Sequence, residues 1–278
     1  MEKSKLFDKH YKLLMIIPVL LLIICLVYLF MFYQKTGDIL IKDSSLSGGT
    51  VITLTGNFDF DLIEKELSSK FSEISFRKLT DLRTGEIKAL AIETPIQPQE
   101  ITDEIESLLN TKLTNENSTI EFTGSSLSSN FYKQLITALV TAFILMSIVI
   151  FILFRTFIPS LAVIFAAFAD IVMPLALINL LEIKLSAAGL AAFLMLIGYS
   201  VDTDILLTTR ALKKAEGPLN SRIYGAFKVG MFMTLTAIFA VFPAFFIMDQ
   251  LPDSFRQIFL VLGFGLIADI INTWLTNV

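Results

Sequence analysis

GYSVDTDILL, residues 198–207, sets two aspartates, Asp202 and Asp204, in a run otherwise apolar enough to lie in a bilayer. It has two companions. FAAFADIVMPLA (165–176) carries Asp170, and GLIADIINTW (265–274) carries Asp269. An ionised carboxylate at the bilayer centre costs at least ~2.5–3.5 kcal/mol on insertion scales, so such a residue usually faces a protein interior and marks an ion, proton or substrate path. The chain therefore reads as a polytopic membrane protein with a buried acidic network. It moves something, or is driven by something that moves.

Composition agrees. Of the 278 residues, 54% are hydrophobic and 17% charged, with mean hydropathy +0.71, beyond the range of a soluble domain. The first apolar run, 13–33, is long enough to cross a hydrocarbon core of ~30 Å. It is too long for the apolar region of a signal peptide and lacks a small-x-small cleavage pattern, so it reads as a retained span. Cys25, the single cysteine, lies inside it and excludes an intrachain disulfide. His10 stands alone in the basic N-terminal segment, where a surface role is expected. Five further spans are read at 134–153, 159–181, 186–208, 225–248 and 257–276. The chain stops at Val278 almost directly after the last, which fits a short natural tail or a shortened one.

Orientation follows from Lys and Arg beside the spans. Lys3, Lys5, Lys9 and Lys12 precede the first, Arg155 separates the second and third, and Arg210, Lys213, Lys214, Arg222 and Lys228 gather between the fourth and fifth. The alternate connections hold Lys184 and Arg256 alone. Both termini are thus expected in the cytoplasm of a multi-pass plasma-membrane protein, with residues 34–131 outside. That segment has sixteen acidic and nine basic residues, a mildly acidic solvated face.

Within it the pattern turns globular. Residues 50–55 (TVITLT) alternate like a strand. Asn57 or Asp59 caps a helix reaching about Phe71, with Phe60, Ile63, Leu67 and Phe71 on one face. Residues 74–79 and 87–93 read as strands joined through Thr84-Gly85, Pro98 opens a second helix, and 118–122 forms the last strand. The order βαββαβ is the ferredoxin-like split unit. The fold class expected is a six-span α-helical membrane protein with one ferredoxin-like α+β domain between the first two spans. Domains are read as 1–37 (N-terminus and first span), 38–127 (extracytoplasmic domain) and 128–278 (spans two to six). The outer domain shows no nucleophile with a base, no metal-ligand cluster and no phosphate-binding glycine loop. A binding or mechanical module is expected, without enzyme activity, cofactor, metal or nucleic-acid partner.

The chemistry rests on the aspartates. At ~1.5 Å per residue, Asp170 lies ~16 Å from the inner end of its span, while Asp202 and Asp269 lie ~9 Å from theirs. Asp202 and Asp269 can share a level if their helices are neighbours. Asp202 and Asp204, two positions apart, point to nearly opposite sides, so one faces the bundle and the other a partner or the interface. Ser200, Thr203, Thr208, Asn179 and Asn272 add polar groups able to bond a buried carboxyl. Burial disfavours a charged carboxyl, and a second carboxylate nearby disfavours it further. Proton loading at Asp170, Asp202, Asp204 and Asp269 is one reading. The other is a permanently neutral set that holds helices together. Ala166, Ala167, Ala169, the Ala187–Ala192 run, Gly263 and Gly265 suit close helix packing, and Pro174 and Pro243 are candidate kinks.

Gly198 to Asp204, followed by a basic loop with Arg210, resembles the fourth-span motif of the SecD/SecF family of protein-export membrane proteins, in archaeal-type wording. Leu46-Ser47-Gly48-Gly49-Thr50 resembles its Gly-Gly-Thr signature after the first span, and the layout matches along essentially the whole chain. The resemblance implies a SecF-type subunit paired with SecD in a twelve-span assembly related to resistance-nodulation-division transporters. It further implies association with the Sec translocon channel, contact with the translocating polypeptide in a lipid membrane, and use of the proton gradient. By the same resemblance Asp170, Asp202 and Asp204 become proton-coupling candidates, and Gly48, Gly49 and Thr50 a structural junction. A half-size proton-driven efflux transporter of small molecules, or a scaffold, is the alternative.

Overall fold

The computed structural model describes residues 4–56, 58–80, 86–213, 218–247 and 253–276. Thr84-Gly85, the alternative cap Asn57, Lys3, Lys214, the expected end of the fifth span at 248, and Val278 lie outside the described residues. The elements run α1 (Ser4–Thr36), α2 (Ser44–Ser47), β1 (Gly49–Thr55), α3 (Phe60–Lys70), β2 (Ser75–Thr80), β3 (Ile87–Thr94), α4 (Pro98–Leu109), β4 (Ser118–Thr123), α5 (Ser125–Phe154), α6 (Phe157–Leu180), α7 (Ala187–Lys213), α8 (Leu219–Ile247) and α9 (Asp253–Thr276).

Local chemistry accounts for the α/β unit. The Asp59 carboxylate accepts the Leu62 N–H at 3.1 Å and starts α3. Pro98 occupies the first turn of α4, and Asn110, left-handed at φ 49°, ends it. The four strands take the order β2-β3-β1-β4 with every neighbour antiparallel. Ile52 stands opposite Ile92 on one side and Ile120 on the other. Ile52, Leu54, Leu90 and Ile92 from the sheet meet Ile63 and Leu67 of α3 and Ile101 and Ile105 of α4 in one core, so both helices cover the same face. A fully buried Leu or Ile there contributes ~1.5–3 kcal/mol.

The remaining helices form a bundle. Among the described residues, six are long and apolar enough to cross a membrane by length and composition. α9 stands at the centre, against α1, α6, α7 and α8, while most of α5 is exposed. Close approach depends on glycine at two crossings. A Cβ at Gly265 would lie 2.3 Å from both Leu196 methyls, and one at Gly230 would lie 2.6 Å from the Trp274 ring. Ala166, Ala167 and Ala169 are buried along α6, as close packing in lipid requires. Pro174 and Pro243 lie inside α6 and α8, which continue on both sides of them.

Residues 38–47, placed by sequence at the start of the outer domain, pack on the bundle as a strap. Leu40 and Leu46 are buried with Ile178, Leu185, Leu190 and Phe193. Leu185 N–H donates to Ile41 C=O at 2.7 Å and Asp43 N–H to Leu185 C=O at 3.1 Å, a parallel bridge to the α6–α7 turn. Asn179 completes it, donating to Ile39 C=O at 2.7 Å and accepting from Ile41 N–H at 3.4 Å. The strap passes into β1 at Gly48-Gly49-Thr50. Gly48 (φ +84°) has no room for a Cβ, which would lie 2.5 Å from Ser125 Cα, and one at Gly49 (φ +144°) would lie 2.5 Å from the Thr94 carbonyl. Thr50 is buried and its hydroxyl donates to Ile96 C=O at 2.5 Å.

Candidate functional site

Three of the four aspartates are brought together. Asp170 on α6, Asp204 on α7 and Asp269 on α9 are each at most 1% exposed. Asp170 accepts from the Ser200 hydroxyl of α7 and, at 2.6 Å, from the Asn272 amide of α9. One residue on, Thr273 lies 2.9 Å from Asp204 Oδ1 and 3.1 Å from Asp269 Oδ1, while Thr234 of α8 approaches Asp269 Oδ2 at 3.4 Å. A single turn of α9 thus links carboxyls from three helices, with α8 closing the fourth side.

Asp202 is not among them. It lies exposed on the side of α7 away from the cluster. The helices α7 and α9 are neighbours, as a shared level for Asp202 and Asp269 requires, but the residue that meets Asp269 through Thr273 is Asp204. Two positions along a helix turn a side chain by roughly 200°, so one of the two aspartates had to face outward.

Thr273 has one hydroxyl proton and two carboxyls to meet. It can donate it to only one at a time. The other contact becomes a hydrogen bond only when that carboxyl carries a proton of its own and donates. One hydroxyl thus lies within hydrogen-bond reach of both Asp204 and Asp269. Donors to these carboxyls among the described residues include the hydroxyls of Ser200, Thr234 and Thr273 and the Asn272 amide.

Among the polar groups read from sequence, Ser200 and Asn272 bond Asp170, whereas Asn179 serves the strap. Thr208 is buried. Thr234 and Thr273 went unread. Thr273 carried a signal, being four residues after Asp269 and so on its face of the helix. Thr234, on another helix, had none. No group of three or more His, Cys, Asp or Glu able to hold a metal ion occurs among the described residues.

A helical bundle of six apolar helices, with an α/β unit between the first two and carboxyls at its centre, defines a polytopic membrane protein. The family profile "Protein export membrane protein SecD/SecF, C-terminal" matches residues 104–278. The SecF protein-export membrane protein of Methanocaldococcus jannaschii is 38% identical over 276 residues, covering 97% of this chain and 94% of that protein. That of Pyrococcus furiosus is 33% identical, covering 99% and 92%. The crystal structure of SecDF, a translocon-associated membrane protein from Thermus thermophilus, superposes with a TM-score of 0.72 at 16% identity, over 98% of this chain and 37% of that one. The chain belongs to the SecD/SecF family of protein-export membrane proteins.

Proposed function

We propose that the chain is the SecF half of a SecD–SecF pair that assists protein export, and that proton exchange at the buried carboxyls drives it. The observation that carries this reading is the Asp204–Thr273–Asp269 arrangement, in which one hydroxyl serves two carboxyls. Loading one proton removes a charge from the crossing of α7 and α9. The packing of those helices then shifts toward whichever arrangement suits the neutral pair. The chain spans 37% of the SecDF chain it superposes on, which leaves room there for a second, SecD-like half. In such a pair the exposed Asp202 and the exposed length of α5 would face the partner or lipid, the termini would lie in the cytoplasm, and the α/β unit, ferredoxin-like in its strand order, would lie outside near the translocon and the moving polypeptide.

Asp→Asn keeps size and hydrogen bonding while fixing the neutral state. Asp170→Asn, Asp204→Asn and Asp269→Asn are each expected to insert and assemble, yet to lose gradient-dependent export in membrane vesicles. Asp202→Asn is expected to keep it and to weaken co-purification with SecD. Export unchanged in an Asp204→Asn, Asp269→Asn double variant would reduce the cluster to a helix-packing role.

A further inference from the structure

Glu93, near the end of β3, collects donors from three separate parts of the molecule. Its Oε1 accepts Ser44 N–H of the strap at 2.5 Å. Its Oε2 accepts the Ser75 hydroxyl of β2 at 3.3 Å and pairs with the Lys184 ammonium at 3.5 Å. Lys184 also donates to Ser75 Oγ at 3.0 Å. Ser75 and Glu93 stand opposite each other in the sheet, whereas Lys184 sits on the turn between α6 and α7, the helices that carry Asp170 and Asp204. Beside this knot, Ser45 Oγ accepts Ala187 N–H at 3.0 Å, satisfying a free donor at the start of α7, and donates to Asp43 Oδ1 at 2.6 Å. The bond geometry makes the sheet, the strap and the α6–α7 turn move together while it holds.

We propose that Glu93, Lys184 and the Ser44 amide form a latch fixing the α/β unit to the α6–α7 turn, and that Asp43 makes its closure respond to pH on that side of the bundle. Among the described residues, Glu93 faces Asp43 from β3, with Lys184 beyond from the turn. On its own strap lies the Asp38–Lys42 pair at 2.5 Å, and Tyr132 of α5 donates to Asp38 at 3.1 Å with its ring 4.7 Å from Lys42 Nζ. Burial first, and the Glu93 charge as well, push the Asp43 carboxyl up to about 6 against the opposing bonds from Ser45 and Leu46. An opened strap would return it to water and to ~3.9. The closed latch thus binds the proton more tightly than the open one. Protonation closes it, and ionisation loosens it as pH rises through about 6. Between ~3.9 and about 6 the closed-to-open ratio falls by up to about a hundredfold, of which about tenfold remains to be lost above pH 5.

The test uses the full chain in lipid nanodiscs with Cys25→Ala as background. Spin labels go on Lys65→Cys of α3 and Leu180→Cys at the end of α6, both exposed and neither bonded to Glu93. Double electron–electron resonance is expected to give one narrow distance distribution at pH 5 and a growing second, broader component as pH rises through about 6. Asp43→Asn should stay narrow at both extremes. Lys184→Met should be broad at both, and Lys184→Arg should restore the parent's behaviour. A Lys184→Met distribution as narrow as the parent's at pH 5 overturns the latch, and a pH response that survives in Asp43→Asn removes Asp43 from it. Distance is read here rather than export, so the outcome stands apart from that of the carboxyl variants.

Discussion

Gly265→Ala adds one methyl at the crossing of α7 and α9, and the structure fixes where it goes. The new Cβ would meet Leu196 Cδ1 and Cδ2 at 2.3 Å and Cγ at 2.9 Å. Ordinary contact begins more than 1 Å farther out, and the whole isobutyl end of Leu196 must move rather than one methyl. Leu196 is fully buried among Leu190, Ala192, Phe193 and Val261, so no empty rotamer awaits it. Overpacking of that kind costs about 1–3 kcal/mol. Leu196→Ala alone opens a cavity at a similar or larger cost, about 2–5 kcal/mol. Together the two changes exchange volume across one contact, and the double variant should lose less than the sum of the singles by about 1–3 kcal/mol. Reversible unfolding in mixed micelles by SDS titration, run on all four corners of the cycle, gives the coupling directly. Additive losses, or a Gly265→Ala variant as stable as the parent, would mean that α7 and α9 do not approach in this way.

Thr273→Val removes the hydroxyl between Asp204 and Asp269 at nearly constant volume; leaving buried carboxyls with one donor fewer should lower stability by about 1–3 kcal/mol in the same titration. A fragment of residues 48–124, expressed without the bundle, should melt cooperatively because the helices and sheet close their own core. Leu67→Ala in that fragment should cost about 2–5 kcal/mol, and a fragment without a melting transition would show that the bundle is needed to hold the sheet. In the Cys25→Ala background, cysteines at Lys65 and Leu219 should react with impermeant maleimide from opposite faces of sealed vesicles; reaction of both from one face would reverse the orientation argument.

The apolar runs declared the helices because a bilayer leaves few alternatives to twenty consecutive apolar residues. The alternation at 50–55 and the cap at Asp59 declared the α/β unit just as directly. Which aspartate faces inward could not be read. Asp202 and Asp204 are equivalent by composition and differ only in helical phase against α9, which a single helix does not specify. The strap was also hidden. Its Asp, Ser and Gly residues look like an ordinary surface connection, and only the distant Asn179 and the backbone of Leu185 turn it into a buried one. Likewise α5 begins at Ser125, ahead of the boundary read at 128, because polar residues at a helix end carry no hydropathy signal.

The central position of α9 also bears on how the protein is made. Spans enter the membrane in chain order, so α6 and α7 arrive carrying Asp170 and Asp204 before Asn272 and Thr273 have been synthesised. Until α9 joins them, two carboxyls sit in the bilayer without their α9 donors, each an insertion burden of ~2.5–3.5 kcal/mol. The earlier spans are strongly apolar and carry these two carboxyls with them, so the docking of α9 is the step at which the Asn272 and Thr273 donors reach Asp170 and Asp204 together.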